Sequence, residues 1–434
     1  MHENFFQIVI LITIIFITIY KRNMDFIFYS IVFFLIFQQS FTFQVGATIR
    51  LTDILIIVYF FFYLINKRKC NVNIPWNIYP LIYYLYIFMS YLILLYINKE
   101  IIFLGNSTLV DNNLSRIYVN LLNPLISILY FILPYTHIYK FNSLRLKKVL
   151  TIQKKALNFL SIYTIIQFLI LNITGQFIKL PGEKLNYGTS FAYGLRRPWG
   201  FMIEPGNLAL FLMFNLIVIY LIDDNFKLNL INILALILTF STNGLISIFV
   251  FILLLFNDRK GISLKQRILC LVLFLFFIFI IIDNEYFYRA VIEKLTTDSF
   301  SKVDRLNNKD ILLKIFNDYK FFGIGHGNFG FYRNLYGFDT KIPYKDFFDL
   351  SNNFYFGVLA DTGMIGFALL LVYFKDIYNK IKIINKNKSK KFIIVLLIML
   401  IPMPTILFSY ISFYIGIIYA YSMNLYICIN KKTR

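Results

Sequence analysis

The chain is poor in what soluble enzymes are rich in. Only 15% of its 434 residues are charged, acids number 22, and there are three cysteines and three histidines. Cys70 sits in a basic stretch and Cys270 and Cys428 in apolar runs, so no disulfide framework is expected, and the histidines show no metal-ligand spacing. Nineteen glycines and ten prolines exclude collagen and low-complexity disorder. What remains is apolar: 59% of residues are hydrophobic and mean hydropathy is +0.68, where soluble domains average roughly 45–50%. So few polar residues could not cover the core of a soluble multidomain enzyme. The composition predicts an all-α polytopic integral membrane protein.

Apolar runs near the roughly 20 residues that span a bilayer occur at 5–20, 26–43, 51–65, 76–97, 117–135, 156–173, 206–222, 268–282, 354–374, 392–408 and 410–429. The run 228–256 would make a helix of about 43 Å, too long for one upright span. Its centre, Ser241-Thr242-Asn243-Gly244, is a turn sequence, which predicts two short helices meeting in a polar hairpin. About 12–13 transmembrane helices result, with the N-terminus outside and the C-terminus inside. The first run lacks a basic leader and its basic flank, Lys21-Arg22, follows it, so it reads as a span rather than a cleaved signal.

Charge supports this order. Twenty-six of the 43 Lys and Arg fall in the loops 21–25, 67–69, 140–155, 223–227, 257–267, 375–391 and 431–434, against five acids (Asp25, Asp223, Asp224, Asp258 and Asp376), so the whole net +21 lies on the cytoplasmic side. The basic balance thus predicts contact with anionic membrane lipids and none with nucleic acid.

Two outer loops stand out, 174–205 and 283–352. The longer has 70 residues with ten acids and ten bases. A capping-box-like Ser301-Lys302-Val303-Asp304 precedes Leu306, Leu312, Ile315, Phe316 and Tyr319 at helical spacing, predicting a helix at about 303–319. Behind it, Gly323-Ile324-Gly325-His326-Gly327 forces irregular backbone, either for close approach to a ligand or as a plain turn.

The shorter loop ends in Arg196-Arg197-Pro198-Trp199-Gly200-Phe201-Met202-Ile203-Glu204-Pro205. Its arginines suit a diphosphate, which arginine grips bidentately; interfacial snorkelling with one salt bridge is the plainer alternative. Asp361 is read as the only ionisable residue inside a span, a candidate for function or for capping neighbouring helices. His2 and His137 read as lone loop histidines without a special role.

These pieces, in this order, resemble the O-antigen polymerase and ligase superfamily of integral membrane glycosyltransferases. The resemblance rests on Arg197-Pro-Trp-Gly200…Glu204-Pro205 opening a span, and on Arg305 followed by the Gly323–Gly327 turn and Asn328-Phe329. It rests also on Asn352-Asn353 leading to Asp361-Thr362-Gly363 and on the 228–256 hairpin, and covers roughly residues 188–374. Ligases resemble one another in a His-Asn pair where this chain has Ser351-Asn352-Asn353, and in a Ser-Arg turn where it has Ser241-Thr242-Asn243. Those departures favour a Wzy-type polymerase. The Arg-x10-Gly repeats of some polymerases are absent.

The resemblance implies a multi-pass protein of the bacterial inner membrane with its active site facing the periplasm. It would join undecaprenyl-diphosphate-linked oligosaccharide donor and acceptor in lipopolysaccharide biosynthesis, with a chain-length regulator as partner. No cofactor or metal is expected. Electrostatic clamping of the leaving diphosphate falls to Arg196, Arg197, Arg289 and Arg305. Glu204 and His326 compete as general base, with Glu204 preferred for its place beside Arg197; Asn353 and Asp361 complete the substrate-binding set. A ligase transferring glycan to lipid A–core is the first alternative. A flippase of lipid-linked oligosaccharide is the second, disfavoured by the lack of internal repeats.

Overall fold

The computed structural model describes residues 4–21, 23–45, 47–65, 78–97, 110–138, 143–176, 180, 191–192, 195–223, 226–256, 300–336 and 353–432. Cys70, Arg289 and the predicted run 268–282 lie outside them. The described elements run α1 (Phe5–Lys21), α2 (Met24–Phe34), β1 (Thr42–Val45), β2 (Ala47–Arg50), α3 (Leu51–Ile65), α4 (Tyr79–Ile97), α5 (Val110–Ile138) and α6 (Ser143–Ile173). There follow β3 (Phe191–Ala192), β4 (Leu195–Arg196), α7 (Pro205–Ile222), α8 (Leu230–Leu238), α9 (Thr242–Phe256), α10 (Phe300–Asp318), α11 (Phe329–Tyr336), α12 (Phe354–Ile384), α13 (Lys386–Leu400) and α14 (Ser409–Lys432).

Helices dominate because, in hydrocarbon, a backbone N–H finds its acceptor only within its own helix. Five described helices are long and apolar enough to cross a membrane: Tyr79–Ile97, Ile117–Ile138, Leu144–Ile173, Pro205–Ile222 and Phe354–Ile384. Shorter apolar helices, including α1, α2 and α3, accompany them. The chain is an all-α polytopic membrane protein. All residues of α7 except Gly206 and Asn207 are buried, so this helix, apolar all round, is the central post of the bundle.

Two runs are not single helices. Run 26–43 is helical only to Phe34; Gln38, Gln39 and Ser40 interrupt it, and Thr42–Val45 pairs antiparallel with Ala47–Arg50. Run 392–408 stops at Leu400, ahead of Pro402 and Pro404, neither of which has an N–H to continue the ladder. The 228–256 hairpin is two helices as expected, but its break falls at Thr239–Ser241. The Thr239 hydroxyl donates to the Leu236 carbonyl at 2.7 Å and accepts from the Ser241 N–H at 3.2 Å, competing with the helix ladder.

Contacts define two ends. At one, the Phe354 N–H donates to the Ile401 carbonyl (3.0 Å), Asn243 Nδ2 to the Met399 carbonyl (2.9 Å) and the Gln39 N–H to the Phe201 carbonyl (3.0 Å). The starts of α7, α9, α12 and α14 gather there with the β1–β2 hairpin. At the other end, Lys388 Nζ reaches the Tyr220 and Asp223 carbonyls (2.7 and 3.3 Å), a cation at the C-terminus of α7, and Lys154 pairs with Asp223. His137 belongs to this basic end and is not a loop residue. It is buried in the last turn of α5, stacked on Phe28 at 3.9 Å, with Nε2 3.2 Å from Asp25, which also pairs with Arg145.

α10 occupies 300–318, close to the predicted 303–319. Phe300–Asp304 are already helical, so Ser301 does not cap it. Ile311, Leu312 and Ile315 are buried with Ile324, Phe329, Tyr332, Tyr91 and Ala360, which fixes α10 and α11 against α4 and α12.

Candidate functional site

Residues 195–206 are held as a strap across the end where α7 begins. Asn172, near the end of α6, brackets Arg196: its Oδ1 accepts the Arg196 N–H at 2.9 Å and its Nδ2 donates to the Arg196 carbonyl at 3.0 Å. Gln167 Oε1 accepts from both Trp199 N–H (3.0 Å) and Gly200 N–H (2.8 Å). Phe201 stacks between Tyr163 and Phe37, with centroids 4.3 and 4.5 Å away.

Held this way, the two arginine side chains diverge. Arg196 Nη1 donates to the Gly175 carbonyl just past α6, while Arg197 Nε donates to the Thr239 carbonyl, 2.8 Å away, at the end of α8. Each guanidinium meets the carbonyl-rich terminus of a different helix. They do not form one fork.

Gln167→Leu should loosen the strap. It strands two N–H groups at a residue 1% exposed, each worth about 1–3 kcal/mol when unsatisfied. The thermal midpoint of the purified protein is expected to fall; an unchanged midpoint would show that the strap is held elsewhere.

Glu204 precedes α7, with Pro205 at the first helical position, and makes no side-chain cap bond. It is exposed and has no ion-pair partner among the described residues. Its proximity to Arg197 in sequence does not become a contact.

A second group sits where α12 kinks. Gly323, Gly325 and Gly327 all have positive φ, as the sequence demanded. Their close approach is to the protein's own backbone: Ile324 N–H donates to the Ala360 carbonyl (3.0 Å) and Gly325 N–H to the Asp361 carbonyl (2.8 Å). The turn carries His326 to Asp361, with Nδ1 3.3 Å from Oδ2, and the same oxygen accepts the Gly327 N–H at 3.2 Å. Asp361 is 4% exposed, and its Oδ1 has no hydrogen-bond partner among the described residues. It therefore both caps the turn and keeps an acceptor. With Nδ1–H on the carboxylate, His326 presents Nε2 as a lone-pair acceptor.

The remaining predicted residues are placed more loosely. Asn353 is the N-cap of α12, without a side-chain cap bond. Arg305 lies on α10; its side chain, like the whole of Arg289, is outside the described residues. Partial burial and the Asp318 carboxylate, which accepts from Tyr336 at 2.6 Å, push the Tyr336 phenol up. Among the described residues no three His, Cys, Asp or Glu side chains gather as metal ligands.

Sequence reasoning passed over Arg50. Asp361 is not the only buried acid in a predicted span: Asp53, 8% exposed, lies in the first turn of α3. Its Oδ2 accepts the Arg50 N–H at 3.0 Å and sits 3.6 Å from Arg50 Nε. An arginine followed three residues later by an acid at the start of an apolar run was the available signal, half of a capping box.

Residues 228–371 match the sequence model of a family described as O-antigen ligase. The match runs from α8 through the turn and Asp361 into α12, about a third of the chain. No curated protein matches the chain.

Proposed function

We propose that this chain, whose residues 228–371 match a family described as O-antigen ligase, joins oligosaccharide repeat units carried on undecaprenyl diphosphate into a polysaccharide. The reaction runs at the periplasmic face of the inner membrane. The observation that carries this reading is the His326–Asp361 contact inside the matched segment, at the end of the bundle that also holds Arg197.

The acceptor sugar hydroxyl attacks the anomeric carbon of the donor's lipid-linked sugar. His326 Nε2 takes the hydroxyl proton as the new C–O bond forms, and Asp361 stabilises the imidazolium. The bond from the anomeric carbon to the phosphate oxygen breaks, and undecaprenyl diphosphate leaves with the electron pair. Fixed cations at the leaving group matter more than an acid there, because the diphosphate is already anionic. Arg197, anchored through Nε, is the described residue best placed for that role. His326 replaces Glu204 as the preferred base, since Asp361 orients the one and no described cation pairs with the other.

The family's description favours a second reading, the ligase. Against it stand Ser351-Asn352-Asn353 and Ser241-Thr242-Asn243, where ligases carry His-Asn and Ser-Arg. A strain lacking this gene distinguishes them on a lipopolysaccharide gel. Core plus a single repeat unit is expected. Bare core with a polymeric lipid-linked glycan would establish the ligase instead.

A further inference from the structure

A transferase that joins two lipid diphosphates needs two anion stations, and the Arg197 strap supplies one. Arg50, at the end of β2, lies beside that strap. Gln39 N–H donates to the Phe201 carbonyl at 3.0 Å and Phe37 stacks on Phe201, so the segments bearing Arg50's partner Gln38 and Arg197 share one seam. Arg50 Nη1 donates to Gln38 Oε1 at 2.9 Å and to the Ser409 hydroxyl, while Asp53 holds its Nε side. The Tyr130 hydroxyl donates to Asp53 Oδ1 at 2.8 Å, so the carboxylate is itself fixed.

The pinning is one-sided. Nη2 has no partner among the described residues, and the side chain remains 23% exposed. Beside it, within reach of its charge, the Tyr410 hydroxyl is buried with no hydrogen-bond partner among the described residues. The two N–H donors left on Nη2 match adjacent oxygens of a diphosphate. The positive end of α3, which begins at Leu51, adds to the field there.

We infer that Arg50, with Tyr410 and Ser409 beside it, forms a second diphosphate subsite that holds the lipid diphosphate of the second substrate. The identity of that substrate rests on the polymerase reading; the subsite does not.

The test uses the full chain in neutral phosphatidylcholine nanodiscs, titrated calorimetrically with inorganic pyrophosphate. Two equivalents are expected to bind. Arg50→Gln should weaken one of them by about 10–100-fold, the scale of charged hydrogen bonds, and leave the other, which Arg197→Ala removes. Tyr410→Phe deletes only an unpartnered hydroxyl, so the fold should keep its thermal midpoint while the Arg50-dependent equivalent weakens severalfold. Arg50→Lys keeps the charge but not the two-donor edge and should behave alike. Full binding of both equivalents in folded Arg50→Lys and Tyr410→Phe would reduce Arg50 to a clasp and overturn the subsite. Undecaprenyl diphosphate should displace the Arg50-dependent pyrophosphate; no displacement would overturn the lipid assignment. Should the gene deletion leave chain elongation intact while Arg50-dependent binding persists, the polymerase reading falls and the subsite stands.

Discussion

His326→Ala is expected to cut elongation by about 10²–10⁴-fold, the usual worth of a positioned general base, without lowering the amount of folded protein. The side chain is only partly buried, and its one described polar contact is Asp361, so its removal leaves the glycine turn's backbone bonds in place. Asp361→Asn keeps an acceptor for the Gly327 N–H but loses the charge that steadies the imidazolium, so a smaller fall is expected, on the order of tenfold to a hundredfold. Glu204→Gln provides the contrast. An exposed carboxylate without a described ion-pair partner should cost little. In vitro polymerisation with purified lipid-linked repeat units reads all three. A large loss in Glu204→Gln alongside an active His326→Ala would return the base to the α7 strap.

Spans were readable because lipid imposes a one-dimensional rule, length and apolarity, on each helix independently. α1 and α3 match their predicted runs within a residue, and the anomalous 228–256 run revealed its hairpin by being too long. The rule failed where a polar pair or a proline ended a helix inside an apolar stretch, at Gln38 and Pro402. The glycine turn was legible too, but its partner was not. Gly323–Gly327 and Asp361–Gly363 lie more than thirty residues apart, and nothing in either motif says that the close approach is of one to the other. The same limit hid Arg50. Its significance comes from Ser409 and Tyr410, brought from the far end of the chain, and a lone arginine at a span boundary looks like ordinary interfacial charge. Sequence adjacency misled in the opposite direction at Arg196-Arg197, where an extended backbone sends neighbouring side chains to different helices.

The kink that carries Asp361 depends on Gly363, and Gly363→Ala should be the most disruptive single methyl in the described chain. In a regular helix the Ala360 and Asp361 carbonyls would accept from residues 364 and 365. Here those carbonyls take the Ile324 and Gly325 N–H groups, while Met364 N–H donates to the Lys320 carbonyl at 2.8 Å and Ile365 N–H to the Phe321 carbonyl at 3.4 Å. Two helical bonds are exchanged for four across the turn, which is possible because Gly363 adopts φ 65°, ψ −168°. A Cβ there would overlap the Phe321 carbonyl oxygen and occupy a backbone region open almost only to glycine. α12 must then straighten or the turn must undock, and either removes His326 from Asp361. A loss above about 4 kcal/mol is expected, the range reserved for strain and overpacking together. Thermal unfolding should show it, and amide exchange at Ile324, Gly325 and Met364 should accelerate before the rest of the bundle opens. Gly206→Ala is the control: its added methyl meets nothing nearer than Glu204 Oε1 at 3.5 Å, in an ordinary helical position. If the two variants unfold alike, the backbone exchange is not what holds the turn, and Asp361 would have to be positioned by its side-chain contacts alone.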